Sequence, residues 1–284
     1  MNVISVNLYN WLGINAPEGS VARLTCYNSA TSDRVSSSRK KPAVLIMPGG
    51  AYRWTSPREA EPVALRFLAK GYSVFVLEYS GAPFSFPTSL REAAAAMRYI
   101  RENAAQYEVD PTMVAALGFS AGGHLCGTLG TMFDCPEIAD IATPEMVRPD
   151  ALCLCYPVSV SHGKTHEESF RNISGGDEEL AKRLSLDNLI RPDMPPVFLW
   201  HTRDDQSVPV RGSLILAQKF EENGLEYAVH IHRHGQHGLS TADDQVYPVF
   251  GVPESSPYVK DWLNEAVSFF SECGFKITDT EGPA

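Results

Sequence analysis

One short segment, from Val114 to His124, constrains the fold of this chain more than any other. It reads as an apolar run, then Gly118-Phe119-Ser120-Ala121-Gly122, then further small residues. This order predicts a buried strand, a sharp turn and a helix. Glycines on both sides of Ser120 leave room for a turn at which side chains would collide with neighbouring elements. The segment therefore predicts a serine hydroxyl at the end of a buried strand, facing the N–H groups of a helix start.

Short apolar runs alternate with helical stretches along the rest of the chain. The predicted strands are Ala43–Met47, Ser73–Tyr79, Met113–Gly118, Ala151–Tyr156, Val197–His201 and Tyr227–His232. The predicted helices are Arg58–Lys70, Leu90–Asn103, Val210–Glu222 and Pro257–Phe270. Near-continuous apolar strands alternating with helices are typical of the α/β class, in which helices cover both faces of a mostly parallel sheet.

The length of 284 residues fits one large α/β domain. We predict a single domain over residues 1–284, with its core at about 40–272. The polar stretches 133–150 and 159–196 interrupt the alternation, and such insertions usually lie at the carboxyl ends of the strands, near the site. We predict that 159–196 forms a small cap rather than a domain.

Composition limits the partners. A net charge of −10 argues against nucleic acid or an anionic membrane. No apolar stretch approaches the roughly 18 residues of a membrane span. The six cysteines contain no CxxC pair, which favours free thiols in a reducing compartment. We therefore expect a cytoplasmic protein with a small-molecule substrate. The composition does not decide between a monomer and a homo-oligomer.

Two later segments supply an acid and a base. Asp204 and Asp205 follow the predicted strand Val197–His201, and the spacing Asp-x-x-Val-Pro favours Asp205. His237, in Gly-Gln-His-Gly after the last predicted strand, is the candidate base, since imidazole titrates near neutral pH. The order Ser120, Asp205, His237 predicts a catalytic triad, with Asp204 as a surface carboxylate.

A small-residue stretch, Pro48-Gly49-Gly50-Ala51-Tyr52, directly follows the first predicted strand. An oxyanion hole needs a second N–H donor besides that of Ala121, and Gly50 or Ala51 is predicted to supply it. A plain strand-to-helix turn is the alternative. The aromatic residues predicted either to line the substrate pocket or simply to pack are Tyr52, Trp54, Phe84 and Phe86.

The remaining histidines leave alternatives open. His230, His232 and His234 alternate along one strand and could bind a metal, but solvated or packed histidines are the favoured interpretation. His124 and His201 are predicted to orient loops rather than to react. No metal and no organic cofactor are expected.

At these residues the sequence resembles the α/β-hydrolase esterases of the BD-FAE group, which includes acetyl esterases and acetylxylan esterase-like proteins, and is related to hormone-sensitive-lipase-like carboxylesterases. The matching stretches are Met47–Tyr52, Arg58–Pro62, Gly118–Leu125, Leu199–Asp205, Val208–Pro209 and His237–Gly238. Pro48 and Ala51 differ from the His and third Gly of the lipase-like members. This resemblance to the Pro-Gly-Gly variant weakens any carry-over of lipase substrate preference.

The resemblance implies the α/β-hydrolase fold and a carboxylic ester hydrolase. It implies a triad of Ser120, Asp205 and His237, with backbone donors at Ala121 and at Gly50 or Ala51. A short acyl group, acetyl first, on a sugar alcohol is the implied substrate class. An amidase or peptidase such as a formamidase, acting through the same triad, is the alternative enzyme. A non-catalytic binding protein with this fold is the alternative from another class.

Overall fold

The computed structural model of the protein describes residues 1–31, 38–246 and 259–279. The strands in these ranges are β1 (Asn2–Asn7), β2 (Arg23–Asn28), β3 (Arg39–Met47), β4 (Ser73–Glu78), β5 (Val109–Phe119), β6 (Ala151–Cys155), β7 (Val197–Thr202), β8 (Tyr227–His232) and β9 (Thr278–Asp279). The helices are α1 (Leu8–Leu12), α2 (Glu61–Ala69), α3 (Thr88–Glu102), α4 (Ala121–Thr131), α5 (Pro144–Val147), α6 (Glu167–Ser174), α7 (Glu178–Arg183), α8 (Leu186–Leu189), α9 (Arg211–Glu222) and α10 (Trp262–Glu272).

The strands form one sheet in the order β1-β2-β4-β3-β5-β6-β7-β8, with β9 paired to β3. From β4 to β8 all neighbours are parallel, whereas the β1–β2, β2–β4 and β3–β9 pairs are antiparallel. The mostly parallel sheet predicted from the sequence is confirmed. Because β3, β5, β6, β7 and β8 run side by side in one direction, their carboxyl ends share one edge, where the site lies.

Apolar side chains fill both faces of the sheet. Along β3, Leu45 belongs to the cluster packed against α3 and α4, while Val44 and Ile46 belong to the cluster packed against α2 and α10. This alternation explains the near-continuous apolar runs, since every residue of a doubly covered strand is buried.

The predicted helix Arg58–Lys70 is wrong at its beginning. The chain makes a separate 3₁₀ turn at Pro57–Glu59 and starts α2 only at Glu61. Ala60, with φ −103° and ψ −103°, leaves the helical region, and Pro62 then occupies the first turn of α2, where its missing N–H costs nothing. The predicted helix Pro257–Phe270 begins later, with α10 at Trp262, and its first two residues lie outside the described ranges.

The ribbon of β1 and β2 was not predicted. Most residues of β1 are exposed, so it lacks the apolar run that identified the central strands. It pairs antiparallel with β2, which in turn pairs with β4 and extends the sheet at one edge.

Residues 159–196, the polar stretch that the sequence predicted to form a small cap, contain three short helices, α6, α7 and α8. His166 and Asp177 cap α6 and α7 by accepting backbone N–H groups, a signal that a scan for apolar periodicity overlooks. We call these residues the cap. Across the described ranges, no helix has the length and apolarity needed to cross a membrane.

Candidate active site

Ser120 lies on the turn between β5 and α4. Its backbone adopts φ 52° and ψ −117°, a conformation that L-residues rarely take. A Cβ on Gly118 would lie 2.0 Å from the carbonyl oxygen of Gly122, and one on Gly122 would lie 2.0 Å from that of Met47. Both flanking glycines are therefore required by close backbone approach, as the motif predicted.

The structure brings Ser120, His237 and Asp205 together. His237 Nε2 lies 2.8 Å from Ser120 Oγ, and His237 Nδ1 lies 2.7 Å from Asp205 Oδ2. The carboxylate is fully buried, whereas the imidazole keeps about a fifth of its surface exposed. Three side chains that are widely separated in sequence thus form one hydrogen-bonded array at the carboxyl edge of the sheet.

Asp205 is held as a hydrogen-bond acceptor. Its Oδ1 accepts the N–H groups of Ser207 at 2.9 Å and Val208 at 2.8 Å, and its Oδ2 also lies 3.3 Å from His201 Nε2. Burial alone would raise the pKa of Asp205, but hydrogen bonds from His201 and His237 outweigh it and hold the pKa well below its usual range. An ionised carboxylate accepts the Nδ1 proton of His237, which leaves Nε2 free to take a proton from Ser120.

The side chain of Asp204 has a different set of partners from that of Asp205. Its Oδ2 lies 3.0 Å from His234 Nδ1, and its Oδ1 accepts the N–H of Gly235 at 2.7 Å. This second Asp–His pair is exposed on both sides. Of the two adjacent aspartates, the one favoured by the Val-Pro spacing is the one that contacts His237.

The loop Pro48–Tyr52 is held by its carbonyl groups. Each of its five carbonyl oxygens accepts a hydrogen bond. Two of the donors are side chains, namely Tyr79 Oη to Pro48 O at 2.8 Å and Asn172 Nδ2 to Ala51 O at 2.8 Å. The other three are backbone N–H groups, those of Ser56 to Gly49 O at 2.8 Å, Arg53 to Gly50 O at 2.9 Å and Ala82 to Tyr52 O at 2.6 Å. Gly50, Ala51 and Tyr52 all have positive φ. A loop fixed at every carbonyl presents its N–H groups in one orientation.

In the part of the chain that the structure describes, backbone N–H groups without an acceptor occur both in this loop and at the start of α4. Gly49 N donates to Glu59 Oε2 at 2.7 Å, but within the described residues no acceptor takes the N–H of Gly50, Ala51 or Ala121. A Cβ on Gly49 would lie 2.9 Å from Ser120 Cβ, so the loop packs directly on the turn. These three unpaired donors are the ones predicted for the oxyanion hole, an assignment that stays a prediction.

The four aromatic residues lie in different surroundings. Tyr52 is only 1% exposed, and its hydroxyl donates to His124 Nδ1 at 2.7 Å, so it packs in the core. Trp54 is half exposed. Phe84 is partly buried, and partly buried Phe86 lies under the guanidinium of Arg183. Of the four, Tyr52 fits the packing alternative best.

The cap contacts residues of the candidate site and its surroundings at several points. His124 Nε2 donates to the carbonyl of Leu184 at 2.8 Å, and burial lowers the pKa of His124 to about 4, so it remains neutral. The pKa of His166, at the start of α6, is lowered by burial and then by the charge of His237. Together with the Asn172 bond to Ala51, these contacts place the cap at the edge of the site.

Sequence reasoning missed Glu59, Tyr156 and Asn172. Glu59 and Tyr156 are buried and bond to each other across 97 positions, and Asn172 reaches Ala51 across 121. A charged residue in a short turn and a tyrosine at a strand end carry no local signal of such contacts.

The three alternating histidines have separate surroundings. His230 Nδ1 lies 2.8 Å from Glu265, His234 pairs with Asp204, and His232 Nε2 is buried without a hydrogen-bond partner. In the part of the chain that the structure describes, no three His, Cys, Asp or Glu side chains gather closely enough to hold a metal ion.

Comparisons with known proteins identify the family of this chain. The BD-FAE family model matches residues 34–220. The chain is 34% identical over 258 residues to endo-1,4-beta-xylanase B of Butyrivibrio fibrisolvens, covering 87% of this chain and 38% of that protein. It is 30% identical over 205 residues to an acetylxylan esterase of Xylanibacter ruminicola, covering 69% of this chain and 41% of that protein. The chain thus spans about two fifths of the length of these curated relatives.

Among solved structures, the acetyl ester-xyloside bifunctional hydrolase from Caldicellulosiruptor lactoaceticus is 35% identical. The two superpose with a TM-score of 0.82 over 96% of this chain and 97% of that one. The α/β-hydrolase fold expected from the resemblance is confirmed. The family match covers well over half of the chain and includes the Ser120 turn, so this chain belongs to the BD-FAE family.

Proposed function

We propose that this chain is a carboxylic ester hydrolase of short acyl groups, with acetylated sugars as its substrate class. The observation that carries the proposal is the array of Ser120, His237 and Asp205, joined by hydrogen bonds of 2.8 and 2.7 Å beside a loop with unpaired N–H groups. A serine within reach of an imidazole whose other nitrogen is held by a buried carboxylate is the arrangement of an activated nucleophile.

In the first step Ser120 Oγ attacks the ester carbonyl while His237 Nε2 takes its proton. The charge that develops on the carbonyl oxygen is stabilised by N–H groups of Ala121 and of Gly50 or Ala51, each contributing about 3 kcal/mol at such a site. His237 then gives the proton to the leaving alcohol, and an acyl-Ser120 ester remains.

In the second step water attacks the acyl-Ser120 ester, and His237 removes its proton. The tetrahedral intermediate collapses, the carboxylic acid leaves, and Ser120 Oγ regains a proton from His237. Asp205 stays ionised throughout and stabilises the imidazolium that forms twice per turnover. No step requires a metal or an organic cofactor.

The substrate class rests on the comparisons. A neighbour covering nearly the whole chain is described as an acetyl ester-xyloside hydrolase, and a curated relative as an acetylxylan esterase. Within the described residues the cap has only short helices, the longest being the eight-residue α6, and it lacks the long apolar helices that would enclose a fatty acyl chain. Both observations favour acetyl over fatty acyl groups.

The test is the rate of hydrolysis of p-nitrophenyl esters from acetyl to dodecanoyl, together with acetate release from acetylated xylo-oligosaccharides. We expect the highest kcat/KM for acetyl, acetate release from the sugar, and loss of both activities in Ser120→Ala. Equal or faster cleavage of dodecanoyl would reject the short-acyl assignment. Cleavage of anilides without cleavage of any ester would favour the amidase alternative instead.

A further inference from the structure

A buried carboxylate, Glu59, lies between two loops of the site. It is 2% exposed. Its Oε2 accepts the N–H of Gly49 at 2.7 Å, and its Oε1 accepts the hydroxyl of Tyr156 at 2.7 Å. Gly49 belongs to the loop that carries the proposed oxyanion donors, so one end of this bridge is attached next to Gly50.

The other end reaches the loop that carries His237. The oxygen of the Tyr156 hydroxyl accepts the N–H of Ser240, three residues after His237, at 2.9 Å. The ring of Tyr156 also packs edge-on against the imidazole of His237, with centroids 5.1 Å apart. Tyr156 is 1% exposed, so neither contact competes with water.

Two further bonds fasten Ser240. Its Oγ donates to the carbonyl of Arg58, the residue before Glu59, and its own carbonyl accepts the indole N–H of Trp262 at 2.8 Å. The turn containing Glu59 therefore contacts the histidine loop directly as well as through Tyr156. The loops with the base and the oxyanion donors are tied to one short segment, Arg58–Glu59.

We propose that Glu59 is a positioning residue that, through Gly49 and Tyr156, fixes the distance between the oxyanion donors and the imidazole of His237. The inference rests on the proposed function. The base and the donors act on the same tetrahedral centre, and displacement of one by about 1 Å can cost about 100-fold in rate. A carboxylate suits this place because its two oxygens can accept one N–H and one O–H hydrogen bond at the same time. A neutral amide side chain of similar size has only one accepting oxygen.

The variants are Glu59→Gln, Tyr156→Phe and the double variant. The amide of Gln can accept from Gly49, but its NH₂ group leaves the Tyr156 hydroxyl without an acceptor. We expect each single variant to lower kcat for p-nitrophenyl acetate by about 10- to 100-fold, with KM changed less than about threefold, since the lost interaction acts in the transition state. The double variant should lose no more than the worse single one, because either change breaks the same bridge.

Glu92→Gln is the matched control. Glu92 is also 2% exposed and accepts a backbone N–H, from Ser80 at 2.6 Å, and a tyrosine hydroxyl, from Tyr9 at 2.9 Å. Glu92 lies on α3 and joins Tyr9 of α1 to Ser80, which follows β4, and among the described residues it makes no hydrogen bond to Pro48–Tyr52 or to the loop of His237. We expect the midpoint of thermal unfolding to fall by about as much in Glu92→Gln as in Glu59→Gln, while kcat stays within about twofold of wild type. Loss of stability alone would then be separated from loss of positioning.

A second readout is the rate of labelling of Ser120 by a fluorophosphonate, which depends on the same base and donors but not on an ester substrate. We expect slower labelling in Glu59→Gln and Tyr156→Phe but not in Glu92→Gln. If wild type labels yet cleaves no ester, the proposed function is wrong, and slower labelling in Glu59→Gln would still support the bridge. Unchanged kcat and labelling in Glu59→Gln, or equal losses in Glu92→Gln, would overturn the inference, as would a wild type that neither labels nor hydrolyses.

Discussion

Two neighbouring aspartates on one loop each pair with a histidine, and only one of these histidines also contacts a serine hydroxyl. Asp205 and His237 are 2.7 Å apart, with the carboxylate fully buried and Ser120 on the far side of the imidazole. Asp204 and His234 are 3.0 Å apart, and both side chains are more than a third exposed. The two pairs therefore contain the same residue types at nearly the same distance, but only in the Asp205–His237 pair does a serine hydroxyl contact the other nitrogen of the imidazole.

The difference comes from what surrounds each carboxylate. Asp205 accepts two backbone N–H groups and a second histidine, His201, so it cannot rotate away from His237. Asp204 accepts one backbone N–H and closes the turn at Gly235. An Asp–His pair becomes a catalytic candidate only when the carboxylate is fixed and a hydroxyl lies on the other imidazole nitrogen.

The largest contrast is expected between the two histidines. His237→Ala should lower kcat for p-nitrophenyl acetate by about 10⁶-fold, because Ser120 loses its general base. His234→Ala should change kcat less than about threefold, since its partner Asp204 is exposed and bonds to neither Ser120 nor His237. Steady-state kinetics on both purified variants measures the contrast. A loss above about 100-fold in His234→Ala would break the comparison.

A smaller contrast is expected between the two aspartates. Asp205→Asn should lower kcat by about 10⁴-fold, because an amide facing Nδ1 favours the wrong imidazole tautomer and cannot stabilise the imidazolium. Asp204→Asn should retain kcat within about fivefold, since the amide oxygen can still accept the N–H of Gly235. Equal losses in the two variants would show that the loop, rather than the buried carboxylate, is what matters.

The smallest contrast concerns stability against pH. The pKa of Asp205 is below its unfolded value, so its hydrogen bonds stabilise the fold above about pH 4, and this contribution is lost as pH falls through the folded pKa. Asp205→Asn should lower the free energy of unfolding at pH 7 by about 1–3 kcal/mol, and the difference from wild type should shrink from about pH 5 towards pH 2.

The pKa of Asp204 is also lowered, by its bond to His234, but solvent screens this exposed pair. Asp204→Asn should therefore change the free energy of unfolding by less than about 1 kcal/mol at any pH. Urea titrations of both variants at several pH values make the comparison. A pH-independent loss in Asp205→Asn would contradict the assignment of its stabilising effect to the ionised carboxylate.

The sequence predicted the features that depend on local chemistry. The turn at Ser120 could be recognised because Gly118 and Gly122 meet backbone atoms whose positions follow from a strand, a turn and a helix. Asp205 could be separated from Asp204 because the spacing to Val208 reflects a bond within the loop, from Val208 N–H to Asp205.

Features that depend on distant contacts could not be predicted. Glu59 meets Tyr156 only after the sheet has brought β6 next to β5 and the turn before α2 has folded over their ends. The break at Ala60 separates that turn from α2, whereas the apolar pattern of the sequence predicted a continuous helix there. The pattern of a single sequence indicates the hydrophobic period of a helix or strand. It does not indicate which distant residue a buried polar side chain will contact.

The most direct test of the account is the site of covalent labelling. Wild-type protein treated with a fluorophosphonate should gain one adduct, located by peptide mass spectrometry on Ser120. Asp204→Asn should label at nearly the wild-type rate, and Asp205→Asn at a rate lowered by orders of magnitude. Absence of labelling in folded wild-type protein, or an adduct on another residue, would contradict the assignment of Ser120 as the nucleophile activated by His237 and Asp205.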